Sequence, residues 1–136
     1  MTVFLKKTDY DRITAHARAG LPNEACGLIA GKTEGDQTII EKVYLLANVD
    51  KSPEHFSIDP KEQLTAVRDM RTLGFVPLGN FHSHPSTPAR LSKEDIRLAF
   101  DPKALYLVVS LAKETAVLKA FSVEHGTTRD LPLELV

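Results

Sequence analysis

The chain has 136 residues, 43% of them hydrophobic and 26% charged, which suits one folded domain over residues 1–136 with a single core and excludes disorder. Seventeen basic against eighteen acidic residues give a net charge of −1 with no basic cluster, which excludes a nucleic-acid footprint. A lone cysteine, Cys26, excludes an internal disulfide and any Cys-rich zinc site within the chain, and with no signal-peptide core and no apolar run of about eighteen residues, a cytoplasmic protein without a membrane partner is expected.

In chain order, the segment "TDYDRITAHARAG" predicts a helix with Thr8 as N-cap, Tyr10, Ile13 and Ala17 on one face, and Gly20 as its end. A surface loop with Pro22 and Glu24 follows. "ACGLIAG" and the β-branched "TIIEKVYLLANV" predict a hairpin turned at "EGDQ". "HFSID" predicts another short strand. Asp59 then caps a helix that starts at Pro60, directs Leu64, Val67, Met70 and Leu73 inward, and stops at Gly74. "FVPLGNF" predicts a strand, "SKEDIRLAF" a short helix, and "ALYLVVSLA" with "AVLKAFSV" an antiparallel pair joined at "KET". Helices interleaved with strands in this order imply an α/β or α+β sheet packed against helices.

The stretch "NFHSHPSTPARLSKED" carries the chemistry. Residues i and i+2 of a strand share a face, roughly 6.6 to 6.8 Å apart, so His82 and His84 can lean toward one point and share a metal. Catalytic zinc uses three protein ligands plus a water, and Asp95 is the natural third: two prolines stiffen the turn, and Ser92 begins a helix with Asp95 in its first turn. Each piece also has a structural reading. Ser-x-x-Asp is a capping pattern, and a lone strand histidine is usually packed or solvated. The joint spacing is what capping does not require. His16, His55 and His125 are left outside the site, and Cys26 is read as core.

This pattern resembles the signature of the JAMM or MPN+ metalloproteases, in which an upstream glutamate is followed by H-x-H, seven residues, and S-x-x-D. His82, Ser83 and His84 fill the first part and Ser92 and Asp95 the last, while "LPNEACGLIAG" puts Glu24 in the family's glutamate position. The resemblance implies a three-layer α/β/α fold, related to the cytidine deaminases, with a curved mixed sheet flanked by helices. It further implies one Zn2+ per chain on His82, His84 and Asp95, Glu24 as acid/base, and Ser92 as oxyanion donor. The implied reaction is hydrolysis of an amide, by a zinc-dependent peptidase or isopeptidase. The implied substrate is a conjugate at the C-terminal glycine of a ubiquitin-like or sulfur-carrier protein. A noncatalytic MPN interaction module and a peptidase acting on cell-wall or other peptides are the alternatives. The zincin H-E-x-x-H and the deaminase P-C-x-x-C are both absent.

Overall fold

The structure, a computed structural model, describes residues 1–136. Its elements are β1 (Thr2–Leu5), α1 (Lys7–Ala19), β2 (Cys26–Glu34), β3 (Gln37–Leu46), α2 (Pro60–Leu73), β4 (Val76–His84), α3 (Lys93–Arg97), β5 (Leu105–Ser110), β6 (Val117–Glu124), β7 (Thr127–Leu131) and β8 (Leu133–Leu135). All eight strands join one mixed sheet in the order β7-β6-β5-β4-β2-β3-β1-β8.

The sheet curves until it nearly closes. β7 pairs antiparallel with β6, and β8 pairs parallel with β1, with only Pro132 between the two strands. One extended segment therefore bridges both edges of the sheet, which leaves few unpaired edge groups. The concave side wraps α1. Ile13 and Ala17 pack there with residues from β1 to β6, including Val3, Ile29, Val43, Phe81, Val109 and Ala120, in the main core of the protein.

The opposite face carries the other two helices. Ala66 and Met70 of α2 pack on Ala30, with Leu28, Tyr44 and Phe75 beside them. Leu91 and Ile96, at and before α3, pack on Val108, Phe121 and Val123. The alternation along β2, with Ile29 in one cluster and Ala30 in the other, is the two-residue period of a strand covered on both sides. The expected mixed sheet flanked by helices is the observed architecture. Gly79 permits one close approach within it, because a side chain there would run into the Leu105 carbonyl of the neighbouring strand.

Several expectations need correction. The first helix begins at Lys7, with Lys6 rather than Thr8 at the N-cap position and no side-chain cap. "HFSID" forms no strand. It contributes a single bridge, Ile58 to Asn48, because the segment is held by side-chain bonds to Asn48 instead of a ladder. In α2, Ala66 and Met70 face inward whereas Leu64 and Leu73 are about half exposed, at 50% and 47%. The small Ala66 lets the helix approach the sheet closely, and that fixes which face turns in. The third helix keeps only Lys93–Arg97 of the expected span, and β1, β7 and β8 were not anticipated.

Candidate metal centre and active site

β4 ends on the face that carries α2 and α3, and its last residues supply the pair of histidines. His82 and His84 are buried, with Ser83 between them on the other face. Parallel pairing sets His82 beside Val108 and His84 beside Ser110, and antiparallel pairing sets Cys26 beside His82. After the "PSTPAR" turn the chain enters α3 through a capping box. Asp95 N–H donates to Ser92 Oγ at 3.0 Å, and Ser92 N–H donates to Asp95 Oδ2 at 2.8 Å. The cap that starts the helix thereby also aims the Asp95 carboxylate at the strand.

Three ligand atoms converge. His82 Nε2 lies 3.2 Å from His84 Nε2 and 3.1 Å from Asp95 Oδ2, and His84 Nε2 lies 3.3 Å from the same oxygen. A tetrahedral zinc with bonds of about 2.0 to 2.1 Å has ligand-to-ligand edges of roughly 3.3 to 3.4 Å, close to this spacing. The donor chemistry also fits. His84 Nδ1–H donates to the Pro88 carbonyl at 3.0 Å, so in the neutral ring the Nε2 lone pair is the one that faces the cluster. Three lone pairs aimed at one point repel one another unless a cation or a proton lies among them. Burial opposes ionisation of Asp95, yet its contacts with the two imidazoles hold the carboxyl well below the usual carboxylate range. Burial likewise works against a charged His84, but Asp95 and the Pro88 carbonyl raise its proton affinity above the ordinary value.

Glu24 comes from a different part of the chain and lies close enough to His84 and Asp95 for their charges to act on its carboxyl. Its backbone N–H donates to the Ser52 carbonyl at 2.8 Å, and its own carbonyl accepts from Asn48 Nδ2 at 3.0 Å. The residue is only 5% exposed, and its Oε1 is buried without a hydrogen-bond partner. Burial pushes its carboxyl up to about 7; the His84 imidazole pulls the other way and the Asp95 carboxylate adds to the rise.

The surroundings add residues that sequence patterns did not single out. The Phe56 ring stacks on His82 with centroids 5.0 Å apart. It belongs to the polar stretch "KSPEHFSID", where one aromatic among polar residues is the only hint in the sequence. A groove runs from His82 and Asp95 between His55 and Phe56 on one side and Leu91 and Leu98 on the other, with Asn80 and Tyr106 also lining it. His16 has a structural place: its Nε2 lies 2.9 Å from the Leu46 carbonyl and 3.1 Å from that of Cys26, a clamp on β2 and β3. Cys26 is buried, and burial pushes its thiol up to about 12, so it is core.

The family described as "Prokaryotic homologs of the JAB domain" matches residues 6–124. The CysO-cysteine peptidase of Mycobacterium tuberculosis is 34% identical over 125 residues, covering 91% of this chain and 84% of that protein. A desampylase of Haloferax volcanii is 30% identical over 105 residues, 74% of each. Among solved structures, a protein of Desulfitobacterium hafniense determined in solution is 52% identical, with a TM-score of 0.90 over 100% of this chain and 93% of that one. With the strand-and-helix-cap site in place and the family matched along most of its length, this chain belongs to the prokaryotic JAB family, whose members are JAMM-type proteins.

Proposed function

We propose that this protein is a zinc-dependent peptidase that hydrolyses an amide at the C-terminal glycine of a ubiquitin-like or sulfur-carrier protein conjugate. The observation that carries the reading is the convergence of His82 Nε2, His84 Nε2 and Asp95 Oδ2 within 3.1 to 3.3 Å of one another, alongside the buried, unpaired Glu24. Relatives named for cleaving such conjugates, a CysO-cysteine peptidase and a desampylase, support the substrate class.

His82, His84 and Asp95 would hold one zinc, which when bound acidifies water and polarises a carbonyl. Glu24 takes the proton from the attacking water and passes it to the leaving nitrogen, so that the C–N bond breaks and the products are a carboxylate and a protonated amine, which together carry both protons of the water. Its elevated proton affinity suits both halves of that transfer. Ser92 Oγ already accepts from Asp95 N–H, which leaves its hydroxyl hydrogen to donate to the oxygen that gains charge on the carbonyl.

The test is cleavage of a panel of carrier conjugates, amide-linked to cysteine or lysine, by the zinc-loaded protein, with a chelator control and Glu24→Gln. Cleavage abolished by both is expected. Zinc bound at one per chain with no conjugate cut would instead favour a noncatalytic module.

A further inference from the structure

We propose that Asn80 is a specificity-determining residue that pairs its side-chain carboxamide with a peptide unit of the substrate's extended tail, about two residues from the bond that is cut. This rests on reading the site as a peptidase centre. Asn80 lies two positions before His82 on β4, so its side chain leaves the sheet on the same face as the two histidines. It lines the same groove as His82 and Asp95.

Its Oδ1 is buried and accepts no hydrogen bond within the protein. The cross-strand neighbours supply none: Leu28 stands beside it on β2, and Tyr106 on β5. Of the other groove residues, Phe56, Leu91 and Leu98 are apolar and Glu54 and Glu94 carry acceptors only, so none of these donates to Oδ1. An amide in such a setting destabilises the fold unless a partner arrives from outside, and folded proteins rarely keep one without use. Because nothing holds Oδ1, the broad torsion about χ2 lets the carboxamide turn its oxygen toward the groove.

An extended peptide displays an N–H and a C=O, and a primary carboxamide offers the matching acceptor and donor. The spacing also agrees. Two residues of extended chain span about 6.6 to 6.8 Å, the same rise that separates Asn80 from His82 along β4. A tail lying along β4 with its reacting carbonyl over His82 therefore brings another peptide unit over Asn80. A carboxamide in the lining suits a tail whose backbone makes the polar contact there.

The experiment uses the full zinc-loaded chain and a carrier protein whose C-terminal Gly-Gly is amide-linked to lysine, prepared with N-methylation at one tail amide at a time. Asn80→Leu, close in size, is expected to lower kcat/KM about tenfold, the effect of one occluded hydrogen bond, with zinc content and Tm no lower than wild type. N-methylation of one tail amide should slow the wild type by a similar factor and the variant hardly at all. The proposal is overturned if Asn80→Leu keeps wild-type kcat/KM, or if every N-methylated conjugate slows variant and wild type equally. Failure of the wild type to cleave any conjugate sinks the peptidase reading separately. Titration of the free tail peptide then decides Asn80 by NMR: displaced side-chain amide resonances of Asn80 support the pairing, and unmoved ones overturn it.

Discussion

Ser83 and Ala25 exchange two hydrogen bonds: Ala25 N–H donates to Ser83 Oγ at 2.7 Å, and Ser83 N–H donates to the Ala25 carbonyl at 2.9 Å. The pair joins the residue after Glu24 to the residue between the two histidines, and so fixes Glu24 relative to His82 and His84. Ser83→Ala leaves the buried Ala25 N–H without its partner, which destabilises the protein by about 1 to 3 kcal/mol. The expected kinetic signature is a lower kcat with zinc content retained. Denaturant unfolding and metal analysis of the same preparation check both halves, and wild-type kcat in this variant would contradict the positioning role.

Glu24 makes the metal-free protein sensitive to pH. Its folded carboxyl, at about 7, binds a proton more tightly than the ordinary 4.5. Its contribution is therefore fully present below about pH 4.5 and is lost as pH rises through 7, a swing on the order of 3 kcal/mol. Glu24→Gln lacks this titration. Between pH 4.5 and 8, chelator-treated Glu24→Gln should gain stability relative to chelator-treated wild type, while its zinc-loaded form loses about 10²-fold or more in rate. A stability difference that stays flat across this range would contradict the burial argument.

Zinc should stabilise the fold through the same three side chains. At a concentration a thousandfold above Kd, binding adds about 4 kcal/mol, or on the order of 10 °C in Tm for a chain of this size. His84→Ala is expected to abolish both the bound zinc and the zinc-dependent rise in Tm. Persistence of the full rise in that variant would place the metal elsewhere.

The observed cap and the proposed oxyanion role of Ser92 separate experimentally. Losing the cap weakens a helix of only five residues by about 1 kcal/mol, whereas losing an oxyanion donor slows turnover by about 10²- to 10³-fold. Ser92→Ala should thus unfold almost normally and turn over poorly. Equal, small effects on both would leave Ser92 a cap alone.

The candidate ligands were legible in the sequence because a strand and a capped helix start are local patterns: two-residue alternation presents His82 and His84 together, and Ser92 to Asp95 is a capping box. Glu24 was legible only through its likeness to a family motif, since the bonds that place it run to Ser52, Asn48 and, through Ala25, Ser83, all distant in sequence. Phe56 had no such signal, since its place depends on the path of the segment before α2. Asn80 shares the two-residue spacing of His82 and His84, but that its Oδ1 goes unpaired depends on its cross-strand neighbours, which spacing along one chain does not encode. The strand expected at "HFSID" failed for a related reason: Asn48 accepts from the Ser57 N–H and donates to the His55 carbonyl, so side-chain bonds outcompete a ladder. At the sheet margins, β7 and β8 are short and only partly apolar, and their pairing is set by closure of the sheet rather than by their own pattern.

The bridging segment from Thr127 to Leu135 also sets the order in which the protein can complete itself during synthesis. Val3 pairs with Leu133, 130 positions later, so β1 waits for β8. Until that partner emerges, β1 and β6 both present open edges, and the final ladder bears the loop-closure penalty of the longest separation in the chain. Nascent or truncated forms that lack this segment are accordingly the species most exposed to edge-to-edge association.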